Sequence, residues 1–169
     1  MSASAGAASS SSGRSPLGAP FIDLRGLMSK HRPLVFLDTN VVLGYLRGEL
    51  PWLFDEAVVN KFRYAINPVV FQEVVLLLGA DHNHPRRLER VLQRTDMLPI
   101  DLEAAGAVLP RAKKLRNRAL HSNDILIFSS AADCDYLLTS DKFIGALLTH
   151  DKPKILTPEE FHREVETSG

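Results

Sequence analysis

The chain has 169 residues, enough for one domain with a real core and hardly enough for two. Basic and acidic residues balance at 20 each for a net charge of +0, and hydrophobic residues make up 45%, a composition typical of a soluble globular protein. One cysteine, Cys134, excludes an internal disulfide framework or a zinc site built on several thiolates, and no run approaches the roughly 18 apolar residues of a membrane span, so a cytoplasmic protein without a membrane partner is expected.

Residues 1–20 are almost entirely Ser, Ala, Gly and Pro; they cannot bury enough apolar surface to offset their ordering entropy and are expected to be disordered. Arg14 is the only basic residue there, which speaks against a transit peptide. Residues 21–32 read as a linker and 33–169 as the folded domain. In that domain strand-like apolar runs are expected at 34–37, 64–66, 97–100, 136–139 and 154–156. Helical stretches fill the gaps at 41–47, 51–63, 68–79, 85–94, 103–118, 123–133, 142–149 and 158–166. The 68–79 helix has Asn67 as cap, Pro68 at its first position and Gly79 after its end. Strands alternating with helices predict an α/β fold, an open parallel sheet with helices on both faces. There is no internal repeat, G-x-G-x-x-G or Walker loop to suggest a nucleotide cofactor.

Four carboxylates stand out from this pattern. The strand "LVFL" ends in Asp38-Thr39-Asn40; Thr39 or Asn40 is accounted for as a cap of the following helix, but Asp38 is not. Asp141 follows the strand at 136–139 in the same way. The carboxyl ends of strands form the ligand edge of an open α/β sheet, so these two acids are expected on one edge. Glu73 lies mid-helix among apolar residues, which predicts a buried helix and a carboxylate in need of a partner. Asp124 opens another largely apolar helix, capped by Ser122 or Asn123. Two carboxylates about 4 Å apart repel by roughly 4 kcal/mol at an effective dielectric near 20. If the four acids converge they need a cation, and an all-oxygen set suits Mg²⁺ or Mn²⁺.

Charge is unevenly spread. "RAKKLRNR" at 111–118 holds five basic residues, Arg86, Arg87, Arg90 and Arg94 form a second basic cluster, and the C-terminal segment is acidic. A basic run is as often a solvated helix face as a nucleic-acid contact.

In register, these stretches resemble the PIN domain, most closely the small stand-alone members typified by VapC-type toxins. "FLDTNVVL" is similar to the family's first motif, with Asp38 leading and Asn40 supporting; "NPVVFQEVV" matches the helix of the second acid, Glu73. "SNDILIFSSA" corresponds to the third motif with Asp124, "LLTSDKF" to the fourth with Asp141 after Thr139 and Ser140, and "KILTPEEF" to the closing strand and helix. The resemblance spans about 33–166. It implies a three-layer α/β/α sandwich around a central mostly parallel sheet, and Mg²⁺- or Mn²⁺-dependent endoribonuclease activity. It further implies metal ligation by Asp38, Asp124, Asp141 and, partly through water, Glu73, with Asn40, Thr139 and Ser140 orienting ligands or water. Arg111, Lys113, Lys114, Arg116 and Arg118 then become RNA phosphate contacts. The implied partners are RNA, a cognate antitoxin of a type II (VapBC) pair, and a second copy in a homodimer through the apolar helices near 41–63 or 68–79. The alternatives are a PIN nuclease of RNA processing or decay, and an inert PIN scaffold binding RNA or protein. "DHNH" at 81–84 reads as a polar loop rather than an HNH nuclease motif, and the dehalogenase-like pattern of two aspartates fails at Asn40.

Overall fold

The alternating pattern becomes five short strands and seven α-helices in a computed structural model that describes residues 32–78, 85–114, 122–147 and 151–167. The 1–20 tail, nearly all of the 21–32 linker, the 81–84 loop, Arg116 and Arg118 lie outside the described residues.

The strands are β1 (Leu34–Leu37), β2 (Arg63–Ile66), β3 (Thr95–Met97), β4 (Tyr136–Leu138) and β5 (Lys154–Leu156), all parallel, in the order β3-β2-β1-β4-β5. β1 is central, with Phe36 opposite Ala65 on one side and Leu137 on the other. Val35, Phe36 and Leu37 are fully buried, which is why β1 reads as an unbroken apolar run rather than an alternation: both faces of the sheet are covered. The helices are α1 (Thr39–Arg47), α2 (Glu56–Val59), α3 (Pro68–Leu78), α4 (Pro85–Arg94), α5 (Leu102–Lys114), α6 (Ser122–Ala131) and α7 (Pro158–Thr167). α1 packs against α3 and α4, α3 against α6, and α5 against α6, while Phe161 of α7 meets Phe62 and Tyr136 ring to ring. The result is the expected α/β/α layering. No helix among the described residues is long and apolar enough to cross a membrane. Cys134 is buried in the core, and burial pushes its thiol up to about 12, far from nucleophilic character at neutral pH.

Several expectations shift. Residues 51–63 are not one helix: Pro51–Phe54 is a 3-10 turn, and the extended backbone of Asp55 separates it from α2. Of the helix expected at 142–149, the described residues 142–147 hold only a 3-10 turn at Ile144–Leu147, and 148–149 lie outside the described residues. β3 lies two residues before the expected 97–100, because Pro99 has no N–H to give a ladder. The largest difference is α3. It is not buried all round: Val69, Val70 and Val74 face the core, whereas Val75, Leu76 and Leu77 are 45%, 69% and 63% exposed. Apolar residues on both faces of this helix hid which one was inside.

Candidate functional site

The strand order fixes where a site can form. After β1 the chain builds outward through β2 and β3, then returns to lay β4 on the other flank of β1. The crevice beyond the carboxyl ends of β1 and β4 sits at this reversal, the usual ligand position in an open parallel sheet. Asp38 extends the ladder there, its N–H donating to Leu138 O at 3.0 Å.

Asp38 is the N-cap of α1, so the helix starts two residues earlier than expected and the cap is Asp38 itself rather than Thr39 or Asn40. Its Oδ1 accepts the Thr39 N–H at 2.7 Å. Its Oδ2 is turned toward the crevice residues, accepting from Asn40 Nδ2 at 2.7 Å and from the Thr139 hydroxyl at 2.6 Å. Capping therefore occupies one oxygen and leaves the other for the site. The carboxylate is only 6% exposed. Burial is the main cause that pushes its pKa up to about 6, with the nearby Asp124 charge acting in the same direction; the bonds from Thr139, Thr39 and Asn40 pull it back down.

Beyond β4, the Thr139 hydroxyl accepts the Asp141 N–H at 2.9 Å, and Asp141 Oδ1 accepts from Phe143 N at 2.7 Å. Ser140 is exposed and contributes its backbone, donating to Asn40 Oδ1 at 3.1 Å. That bond orients the Asn40 amide so that its nitrogen faces Asp38.

Glu73 comes from one turn into α3. Its Oε2 accepts from the Thr39 hydroxyl at 2.5 Å and its Oε1 from Asn123 Nδ2 at 2.6 Å. Asn67 sets α3 against α6: it caps α3 through Val70 N at 2.9 Å and donates to Leu126 O and Ser130 Oγ of α6 at 3.1 and 3.0 Å. Local sequence pattern marks Thr39 and Asn123 only as caps and misses their part in the site. Their position beside Asp38 and Asp124 was the available signal; that both reach Glu73 follows only from the helix packing.

Asp38, Glu73, Asp124 and Asp141 thus line one cleft of about 570 Å³, together with Thr39, Asn40, Asn123 and the apolar side chains of Leu43, Leu76 and Leu77. Among the described residues no group of three or more His, Cys, Asp or Glu side chains is gathered closely enough to form a metal cage. The donor set is nonetheless oxygen only. An open arrangement of carboxylates suits a hard ion that keeps part of its water shell, as Mg²⁺ does. At Asp38 a neighbouring cation would offset the cost of the buried charge.

Of the expected phosphate contacts, Arg111, Lys113 and Lys114 are exposed on the last turns of α5, outside the cleft lining. In the second basic cluster, Arg87 donates to Leu46 O near the end of α1 at 2.9 Å, and Arg94 pairs with Glu56 at 2.8 Å.

The model of the PIN domain family matches residues 35–147, which takes in all four acids. No curated protein matches the chain in sequence. Among solved structures, the fold is similar to a chain of the VapBC2 complex from Rickettsia felis, a structure bound to a promoter DNA fragment: TM-score 0.57, 17% identity, covering 73% of this chain and 98% of that one. A looser likeness, TM-score 0.48 at 18% identity, covers 73% of this chain and 97% of a chain from a Klebsiella pneumoniae toxin–antitoxin complex.

Proposed function

The chain belongs to the PIN domain family, and from that premise we propose that it is a Mg²⁺- or Mn²⁺-dependent endoribonuclease, the toxin of a type II (VapBC) toxin–antitoxin pair. The observation that carries this reading is that four carboxylates, brought from four separate segments, line one cleft at the strand-order reversal of the sheet. Asp38, Asp124 and Asp141 would hold the ion, and Glu73 would contribute partly through water. When bound, the ion lowers the pKa of water and neutralises charge developing on the phosphate.

The chain's own residues prepare the site. Asn40 and Thr139 fix the Asp38 carboxylate, and Thr139 also ties down the Asp141 backbone. Ser140 holds Asn40 by its backbone N–H. Thr39 and Asn123 occupy one oxygen each of Glu73, leaving the remaining lone pairs of those oxygens to accept from a water. Arg111, Lys113 and Lys114, with Arg116 and Arg118, contact RNA phosphates and position the strand.

The toxin assignment rests on the sequence resemblance and agrees with the fold shared with the Rickettsia felis VapBC2 chain. An antitoxin arginine entering the acid cleft would find a strong charge-assisted site, and Leu76 and Leu77 give such a segment an apolar rim.

The test is cleavage of single-stranded RNA by the full chain with Mg²⁺ or Mn²⁺. Asp38→Asn and Asp124→Asn should each abolish it, as should EDTA; full activity in any of the three overturns the metal-dependent reading. Expression of the wild-type chain, but not Asp38→Asn, should arrest growth of a bacterial host. Normal growth with abundant soluble, RNA-cleaving protein would instead favour an RNA-processing nuclease.

A further inference from the structure

A second cavity, of about 280 Å³, lies at the amino-terminal edge of the sheet, the edge opposite the acid cleft. Three arginines reach it from separate segments: Arg32 precedes β1, Arg63 opens β2 and Arg94 ends α4. Parallel pairing sets Tyr64 beside Thr95 and so brings the starts of β2 and β3 together. Gln93, Thr95 and Asp96 complete the polar lining, so three guanidinium groups face a single lining carboxylate.

Existing bonds use little of that donor capacity. Arg63 bonds Asp96 through Nη2 at 2.5 Å, and Arg94 bonds Glu56 through Nη2 at 2.8 Å. Bracing of neighbouring elements by surface ion pairs accounts for these two residues. It does not account for Arg32, whose Nη1 donates to Val59 O at 2.9 Å and which, among the described residues, pairs with no carboxylate. Each guanidinium keeps further N–H donors in the planar fork that matches phosphate oxygens. The side chains of Arg63 and Arg94 are 49% and 44% exposed, so an anion can reach them from solvent.

We infer that this cavity binds a phosphate group, carried by a free nucleotide or by the backbone of a single-stranded nucleic acid. Its volume is near the small end of ligand pockets (roughly 300 Å³), with room for a phosphate and its adjoining sugar. An anion there removes the mutual repulsion of the arginines and is gripped by charge-assisted hydrogen bonds.

The experiment is calorimetric titration of the full chain in EDTA, which removes divalent ions from the acid cleft. The probes are inorganic phosphate, adenosine monophosphate and a single-stranded oligodeoxynucleotide. Binding should be saturable, and weakened at least about tenfold by Arg32→Gln and by Arg94→Gln, but unchanged by Asp141→Asn. Arg32→Gln keeps a donor for Val59 O; should it fail to fold, Arg94→Gln decides. Tighter binding of the mononucleotide assigns the site to a free nucleotide; tighter binding of the oligonucleotide assigns it to a strand only if Arg94→Gln removes that added affinity, since Arg111, Lys113 and Lys114 lie outside this cavity. No saturable binding of any probe, or wild-type affinity in every folded arginine variant, overturns the inference.

Discussion

Thr139, the first residue beyond β4, donates its hydroxyl to Asp38, the first residue beyond β1, at 2.6 Å although 101 positions separate them. The same hydroxyl oxygen accepts the Asp141 N–H at 2.9 Å. One side chain thus ties together two acids whose strands became neighbours only when the sheet assembled. Thr139→Val keeps the shape and removes both bonds. Loss of a hydrogen bond to a charged group should cost roughly 1.5–3 kcal/mol. Because that bond holds the Asp38 pKa down, its loss should also move the acidic limb of the cleavage profile to higher pH. Wild-type melting temperature together with an unmoved limb would show that Thr139 does not hold Asp38.

Asp38 also makes stability depend on pH in a definite direction. Its carboxyl is raised from 3.8 to about 6 on folding. Below about 4 both states hold the proton, and above about 6 neither does. In between, the folded chain binds more protons, so raising the pH favours unfolding, by roughly 3 kcal/mol over the interval. In EDTA, melting temperatures of wild type and Asp38→Asn should therefore diverge from pH 4 to pH 7, the variant gaining on the wild type. Parallel curves would place the titration elsewhere. Added Mg²⁺ should raise the wild-type melting temperature above pH 6, where Asp38 is ionised, and leave Asp38→Asn unmoved.

The clasp on Glu73 by Thr39 and Asn123 separates positioning from stability. Asn123→Ala releases one oxygen of a partly exposed carboxylate that water can then reach, so it should cost less than the buried Thr139 bond, at most about 1.5 kcal/mol. Loss of such an orienting partner typically costs about 10–100-fold in metal affinity or activity. A Mn²⁺ titration of Asn123→Ala followed by fluorescence or calorimetry checks this without relying on turnover. Wild-type affinity and activity would leave Asn123 as a tie between α3 and α6.

Leu76 and Leu77 are exposed on the rim of the cleft, while Val74 of the same helix is buried. Val74→Ala should be destabilising by about 1–3 kcal/mol, and Leu76→Ser/Leu77→Ser should leave the melting temperature nearly unchanged. If α3 forms the homodimer contact that the family resemblance implies, the double Ser variant should elute as a monomer in size-exclusion chromatography. Elution as a dimer would move that contact away from α3. Residues 41–46 of α1 are buried, so the other expected contact, near 41–63, would have to use residues after Leu46.

Lys113 and Lys114 lie in the last turn of α5. Their reversal to Glu should weaken binding of single-stranded RNA and reduce the logarithmic salt slope by about 0.7 for each phosphate that is no longer neutralised. An unchanged slope would make this run a solvated helix face.

The sequence by itself determined the alternation of strands and helices, the central apolar strand with Asp38 at its end, and the Asn67-Pro68 start of α3. Each depends on residues adjacent in the chain: apolar runs, caps and the fixed geometry of proline. It also picked out four acids as misplaced, because a carboxylate among apolar residues is anomalous at short range. Tertiary structure decided what those acids touch. Strand order put Thr139 against Asp38, and the packing of α1, α3 and α6 brought Thr39 and Asn123 onto Glu73. It likewise decided which face of α3 is buried, and it gathered Arg32, Arg63 and Arg94 at one end of the sheet. Such relationships join segments far apart in the chain, so local pattern carries no trace of them: apolar periodicity records which residues avoid water, whereas strand order and helix docking fix which of them meet.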